Sequence, residues 1–334
     1  MQGKCFKELI YAIFSIIIPV YNVKQYLGKC LESTLSQSFG DFECILIDDG
    51  STDGSSELCD ELACQDTRIR VVHKENEGVA IARNTGIRMA RGDFLMFLDS
   101  DDTLSTGILE MSAQKLKQTG SDILVFGYQR VKDNGMSIYQ SLPEENCSIT
   151  SLLNDGYDLS FLLWNKIYAK KLFDGIDLER LKGITFSEDS ILTIDLLSKS
   201  DKICFLPIIG YNYLCRENSA TQGMTAKHNL DELKATEIIA DILQGTGYKN
   251  PRILSIKKFN AKFFLINPDK QFSMKKFLSN CKDWRAKFPE VNSFEYSSHF
   301  VKTRLMRMYV SLIINKVDFL AWILYKARAF LKQG

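Results

Sequence analysis

Phe94-Leu95-Met96-Phe97-Leu98-Asp99-Ser100-Asp101-Asp102 is the stretch on which the fold turns: five apolar residues run straight into four that include three carboxylates. An unbroken apolar run of that length fits a strand buried on both faces, the pattern of parallel sheets. Like charges crowded at the edge of a core repel and raise one another's pKa unless a cation is present. A hard divalent ion with oxygen ligands resolves the conflict, and such an ion keeps positions open for phosphate. The competing reading is a helix start, where Asp and Ser satisfy free N–H groups. One cap would need one carboxylate, not three.

Upstream of this stretch, strand and helix patterns alternate. Residues 15–20 form a β-branched apolar run, and residues 23–37 place Tyr26, Leu27, Cys30, Leu31 and Leu35 on one helical face. Residues 43–47 read as a second strand ending in Asp48-Asp49-Gly50, 55–65 as a helix, 69–72 as a third strand, 78–90 as a helix and 94–98 as a fourth strand. This alternation means βαβ units and a parallel sheet, with right-handed crossovers that bring the strand C-termini to one edge. Ligands bind at that edge in such sheets. Downstream, the spacing predicts a helix over 107–118, a strand over 122–128, a helix over 188–198 and a short strand over 202–206 running into Pro207. Beyond about Met224 long helical patterns take over, which divides the chain into an α/β domain over 1–222 and a helical, basic region over 223–334.

Composition is globular: of 334 residues, 45% are hydrophobic and 25% charged. Nine scattered cysteines, with no CxxC pair, argue against a zinc site or a disulfide framework and for a reducing, cytoplasmic setting. The apolar run near the N-terminus lacks a small-residue cleavage site and ends in Pro19, Tyr21 and Asn22, so it reads as a buried strand and not a targeting segment. The net charge of +1 conceals an asymmetry: residues 1–250 carry −11 and residues 251–334 carry +12. A basic tail favours anionic surfaces.

Four ordered motifs then carry a resemblance. Pro19-Val20-Tyr21-Asn22, Asp48-Asp49-Gly50-Ser51-Thr52-Asp53-Gly54, Asn76-Glu77-Gly78 with Ala82-Arg83-Asn84-Thr85-Gly86, and Asp99-Ser100-Asp101-Asp102 resemble those of family 2 glycosyltransferases of the GT-A fold. The likeness is tight over about 13–130 and looser to about 220. It implies an α/β, Rossmann-like fold with a mostly parallel sheet flanked by helices. It also implies an inverting enzyme that moves a sugar from a nucleotide diphosphate donor, UDP-linked, to an acceptor hydroxyl. Pro19, Tyr21 and Asn22 would line the base pocket, and Asp49 or Asp48 would bond the pyrimidine. Arg83 would lie near the donor phosphates or sugar. Asp99, Ser100 and Asp101 match the DxD motif, with Asp101 the direct ligand of Mn2+ or Mg2+ and Asp99 a second metal or ribose contact.

In the same resemblance Ser187-Glu188-Asp189 supplies the general base. Asp189 takes that role and Glu188 stands beside it on the acceptor side; an ordinary acidic helix start is the competing reading. Trp164-Asn165-Lys166 resembles an acceptor-side segment, where Trp164 would stack on a sugar ring, against the alternative of a core Trp164 and a solvated Lys166. Arg216 and Ser219 would close over the pyrophosphate, or else belong to a plain surface loop. His73 reads as a strand-end residue without a catalytic role.

The tail over 303–333 mixes apolar residues with Arg304, Arg307, Lys326, Arg328 and Lys332, and no apolar stretch in it reaches the ~20 residues a membrane span needs. It reads as an interfacial helix in anionic lipid headgroups, at the inner face of the cell membrane, or as a helix packed on the catalytic domain or a second copy. A lipid-linked saccharide acceptor in surface polysaccharide synthesis agrees with the first reading. A dehydrogenase is disfavoured because no G-x-G-x-x-G follows the first strand. A nucleotidyltransferase lacks its Gly-rich basic loop, and the tail is too apolar for nucleic acid. A non-catalytic sugar-binding or scaffold protein on the same fold is the remaining alternative.

Overall fold

The computed structural model describes residues 13–145, 148–155, 161–216, 226–246, 252–263, 265–266, 273–293 and 304–331. The chain divides into two compact units, one of Met1–Leu152 with Gly156–Gly223 and one of Leu153–Asp155 with Met224–Gly334.

The first unit opens with β1 (Phe14–Val20), α1 (Lys24–Leu35), β2 (Phe42–Asp48), α2 (Ser55–Gln65), β3 (Ile69–His73), α3 (Val79–Met89) and β4 (Phe94–Phe97). β3, β2, β1 and β4 lie side by side, all parallel. Every residue of β1 and β2 is buried, as strands in the middle of a covered sheet must be, and the polar Ser15 and Glu43 within them are bonded to each other (2.7 Å). Pro19 is tolerated there because the β1–β4 ladder ends at Ile17, so the N–H that proline lacks has no rung to fill. α3 lies tightly against β1: a Cβ on Gly86 would stand 2.4 Å from Ile17 Cγ2.

After β4 the chain adds β5 (Thr103–Leu104), α4 (Ile108–Thr119), β6 (Ile123–Val131), β7 (Ser137–Ser141), α5 (Ile149–Asp155), β8 (Lys166–Ala169), α6 (Glu188–Lys199) and β9 (Ile203–Leu214). The sheet order is β3-β2-β1-β4-β8-β6-β9-β5, with β7 also on β6. β8 is antiparallel to both β4 and β6, and β5 to β9, so the sheet is mixed: parallel from β3 to β4 and between β6 and β9, antiparallel at its other pairings. β9 also corrects the short strand expected over 202–206: it runs through Pro207 to Leu214. The proline sits where the β6–β9 register shifts, between the pairs Phe126↔Leu206 and Gly127↔Ile209, which is where a strand admits one.

Among the described residues the second unit is helical: α7 (Ala226–Gln244), α8 (Arg252–Phe263), α9 (Met274–Ala286), α10 (Arg304–Ile314) and α11 (Asp318–Leu331). Its core gathers Phe259, Phe277, Trp284, Tyr309, Val310, Ile313, Ala321 and Tyr325. The tail is therefore not one interfacial helix. It is two helices broken at Lys316 (φ 61°), whose inner faces pack within their own unit, bound at the break by a bidentate Arg285–Asp318 pair. Leu305, Met308, Phe319, Leu320 and Ile323 stay exposed on the outside. No described helix is long and apolar enough to cross a membrane.

Candidate active site

The strand C-termini of β1, β2 and β4 and the start of α6 carry the residues singled out by sequence. Tyr21 follows β1 and is half exposed. Asn22 is held at φ 52°, a costly backbone for a non-glycine residue, by bonds to the neighbouring loop: its N–H donates to Ser51 Oγ (3.2 Å) and its Oδ1 accepts from Thr52 N–H (2.8 Å). Asp53 satisfies free N–H groups at two helix starts, accepting from Lys24 N–H at the start of α1 and Ser55 N–H at the start of α2.

Asp48 and Asp49 are both buried and both engaged within the protein. Asp48 accepts from Ser51 N–H (3.0 Å), Ser56 Oγ (2.6 Å) and the His73 ring (2.8 Å). Burial pushes its pKa up, but these donors outweigh burial and hold it below the usual carboxylate range. Asp49 accepts from Glu77 N–H, Gly78 N–H and Lys74 Nζ at 2.8–3.0 Å, which ties the end of β2 to the loop before α3.

The acidic run is not a helix start; it is a turn between β4 and β5 closed by Asp102 N–H on the Asp99 carbonyl. Its three carboxylates part company. Asp99 Oδ1 accepts from Arg83 Nη2 (2.9 Å), and Asp101 Oδ2 from Arg216 Nε (2.7 Å). Asp102 is fully buried and accepts from Tyr211 Oη (2.8 Å) and Leu214 N–H (2.7 Å). Ser100 is buried among them. Burial, then the charge of Asp99, raises the pKa of Asp101 against the pull of Arg216. Asp102 is raised further, by burial and by both neighbouring carboxylates. A cleft lined by Gln25, Tyr26, Lys132, Cys215 and Arg216 opens beside Asp101, with the Arg216 guanidinium 5.0 Å from the Tyr26 ring centre.

Arg83 joins the two halves of the site. From α3 it reaches Asp99 with Nη2 and Glu188 Oε1 with Nη1, both at 2.9 Å. Burial opposes its charge, but Asp99, Glu188 and Asp189 together raise its pKa. Ser187, at φ 66°, turns the chain into α6 so that Glu188 and Asp189 stand at its first turn. Glu188 is buried and Asp189 is partly open, with Oδ1 accepting from Ser190 N–H. Beside them lies a small, largely apolar notch walled by Leu163, Leu178, Leu181 and Leu192.

Trp164 is buried and stacks on Tyr211 (ring centres 4.4 Å apart, 25°), with Tyr213 behind and Tyr128 edge-on. Lys166, expected in solvent if Trp164 belonged to the core, is wholly buried. It donates to the Leu162 carbonyl and Asn165 Oδ1, and burial pushes its pKa well below the usual lysine range. Ser219 lies outside the described residues. Tyr211 is the residue that sequence reading missed: its hydroxyl accepts from Asp99 N–H (3.1 Å) while donating to Asp102, so it sets the acidic turn. The Tyr211-Asn212-Tyr213 alternation was the available signal, a period-two pattern characteristic of a strand.

Such a site at the strand C-termini of an α/β sheet, acidic turn on one side and acidic helix start on the other, defines a GT-A glycosyltransferase architecture. The profile of "Glycosyl transferase family 2" matches residues 15–175. Glycosyltransferase GlyG of Streptococcus pneumoniae is 35% identical over 220 residues, 62% of this chain and 72% of that protein. The chain belongs to glycosyltransferase family 2. It is also similar to the uncharacterized glycosyltransferase EpsJ of Bacillus subtilis, 31% identical over 217 residues and covering 63% of each chain, less than two thirds of that relative's length. Among solved structures, Staphylococcus aureus TarS 1-349 in complex with UDP-GlcNAc matches 95% of this chain and 91% of its own, with a TM-score of 0.70 at 21% identity, a likeness of fold.

Proposed function

We propose that the chain is an inverting glycosyltransferase that moves a sugar from a UDP-linked donor to a hydroxyl of a saccharide or lipid-linked saccharide. The observation that carries this reading is Arg83, whose one guanidinium joins Asp99 of the acidic turn to Glu188 beside Asp189. In this reading the turn holds the donor diphosphate, Tyr21 and Asn22 face the base, and Arg216 lies over the phosphates. Asp189 takes the proton of the acceptor hydroxyl. The acceptor oxygen then forms its bond to the anomeric carbon as the bond to UDP breaks, and UDP leaves with the electron pair.

Mn2+ or Mg2+ fits the turn on a thin donor set. Asp99 Oδ2 and Asp101 Oδ1 are the oxygens not bonded to Arg83 and Arg216, and no group of three His, Cys, Asp or Glu ligands occurs among the described residues. Such a pair suits a hard cation that takes most of its ligands from phosphate and water. When bound, the ion supplies positive charge where the leaving diphosphate gains negative charge. For Asp189→Asn, UDP binding measured by calorimetry stays intact and sugar transfer is lost; full transfer in that variant overturns the assignment of the base.

The exposed Leu305, Met308, Phe319, Leu320 and Ile323, with Arg304, Arg307 and Lys326 among them, support a further element of the reading. This face of α10 and α11 rests on an anionic membrane surface, where the acceptor's lipid is anchored.

A further inference from the structure

His73 ends β3 with a carboxylate at each ring nitrogen: Nδ1 is 2.8 Å from Asp48 Oδ2 and Nε2 is 3.1 Å from Asp60 Oδ1. Ionised carboxylates only accept, so both contacts are satisfied together only when both nitrogens carry protons, as in the imidazolium. The two contacts are unequal. The Asp48 side chain is 3% exposed and that of Asp60 is 68% exposed, so the inner contact carries the strength and the outer one is screened.

Asp48 is also a junction. Its Oδ1 accepts from Ser51 N–H and its Oδ2 from Ser56 Oγ, so β2, α2 and β3 meet on one carboxylate. Ser51 Oγ in turn accepts from Asn22 N–H, which carries the connection to the loop that follows β1. Lys74, the next residue after His73, donates to Asp49. The two-residue segment His73-Lys74 therefore grips both carboxylates at the end of β2.

We propose that His73 is a positioning residue, a protonation-dependent latch on the nucleotide loop from Asp48 to Gly54. As an imidazolium it fastens β3 and α2 to Asp48. On losing a proton it keeps at most one donor and turns a lone pair toward the other carboxylate, and the loop loosens. The inference rests on this loop lying in the donor site, and it adds regulation by pH to that reading. The titratable groups facing the ring are Asp48 from β2 and Asp60 from α2, with the Cys59 thiol of α2 close to both. Burial and the two carboxylates push that thiol up to about 12, so it stays neutral throughout. On the ring's own segment Lys74 is committed to Asp49 and Glu77.

Asp48 and Asp60 raise the His73 pKa against its partial burial. A raised basic group contributes fully below its unfolded-state pKa, and the contribution is lost as pH rises through the folded value. UDP affinity therefore falls on the alkaline side of the ordinary imidazole range.

The test measures UDP binding to the full chain by calorimetry across that range, for wild type, His73→Gln and His73→Arg, with imidazole nitrogen NMR shifts of wild type alongside. Wild type weakens by roughly three- to fivefold from acid to alkaline, the order of one partly exposed ion pair. His73→Gln binds like alkaline wild type at every pH. His73→Arg, whose charge and paired donors persist, binds like acid wild type at every pH. The NMR shifts show both ring nitrogens protonated in the tight-binding form. Superimposable wild-type and His73→Gln profiles with normal UDP binding overturn the latch alone. Failure of wild type to bind UDP at any pH overturns the donor-site reading and the latch's role with it.

Discussion

Arg83 is the residue on which the site's electrostatics balance. Its side chain and that of Glu188 are 8% and 10% exposed, and it also neutralises Asp99. Removing one partner of a buried ion pair strands the other charge, which typically costs about 3–5 kcal/mol. Arg83→Met is therefore expected to lower unfolding stability by that order in urea titration and to abolish transfer. Arg83→Lys keeps a charge but loses the fork that reaches two carboxylates at once, and it is expected to recover part of the stability and little of the activity. The Ala-Arg-Asn motif pointed to Arg83, and the resemblance placed it near the donor. Its second hand, on Glu188, was not legible, because a partner 105 residues away leaves no local pattern.

At the scale of elements, the close seat of α3 on β1 fixes where Arg83 emerges. With a Cβ placed 2.4 Å from Ile17 Cγ2, Gly86→Ala forces helix and strand apart. Overpacking of this kind costs about 1–3 kcal/mol, so the urea midpoint is expected to fall while UDP still binds, more weakly. The elements of the front half were readable because each is an apolar run of fixed period bounded by Gly, Asp or Asn, as in β1, α1 and β2. β5, β7 and β8 were not read. β5 is two residues long, and β7 is mostly exposed, with its adjacent Ile138 and Tyr139 giving no apolar alternation to read. β8 borrows its burial from β4 and β6 on either side. The extent of β9 was hidden because Pro207 reads as a stop, although a register shift in the ladder with β6 accommodates it.

For the whole molecule, charge and apolar surface are distributed so that the chain is nearly neutral overall and strongly basic at one end, with +12 over residues 251–334. If the outer face of α10 and α11 meets lipid, co-sedimentation should occur with vesicles rich in anionic lipid and not with neutral ones, and added salt should weaken it. Phe319→Asp together with Ile323→Asp, both on exposed positions, is expected to abolish sedimentation without changing the melting temperature. Equal binding to neutral vesicles, or none to anionic ones, counts against this surface. Sequence alone located the basic tail but not its division into two helices, since the break at Lys316 is held by the part-buried Arg285–Asp318 pair and no proline or glycine marks it.

The bonds that Asp102 receives from Tyr211 and Leu214 have a bearing on how the protein is made. The acidic turn closes the fourth strand, yet the groups that shape it lie 109 and 112 residues further along the chain. During synthesis, the parallel strands β1 to β4 are complete long before β9 has left the ribosome. Contacts this distant in sequence are slow to form, because loop-closure entropy must be met before they stabilise anything. The nascent sheet therefore carries an unshaped, strongly acidic edge until β9 docks. A growing chain interrupted before Tyr211 would hold Arg83, Glu188 and Asp189 with no partner to set the acidic turn opposite them.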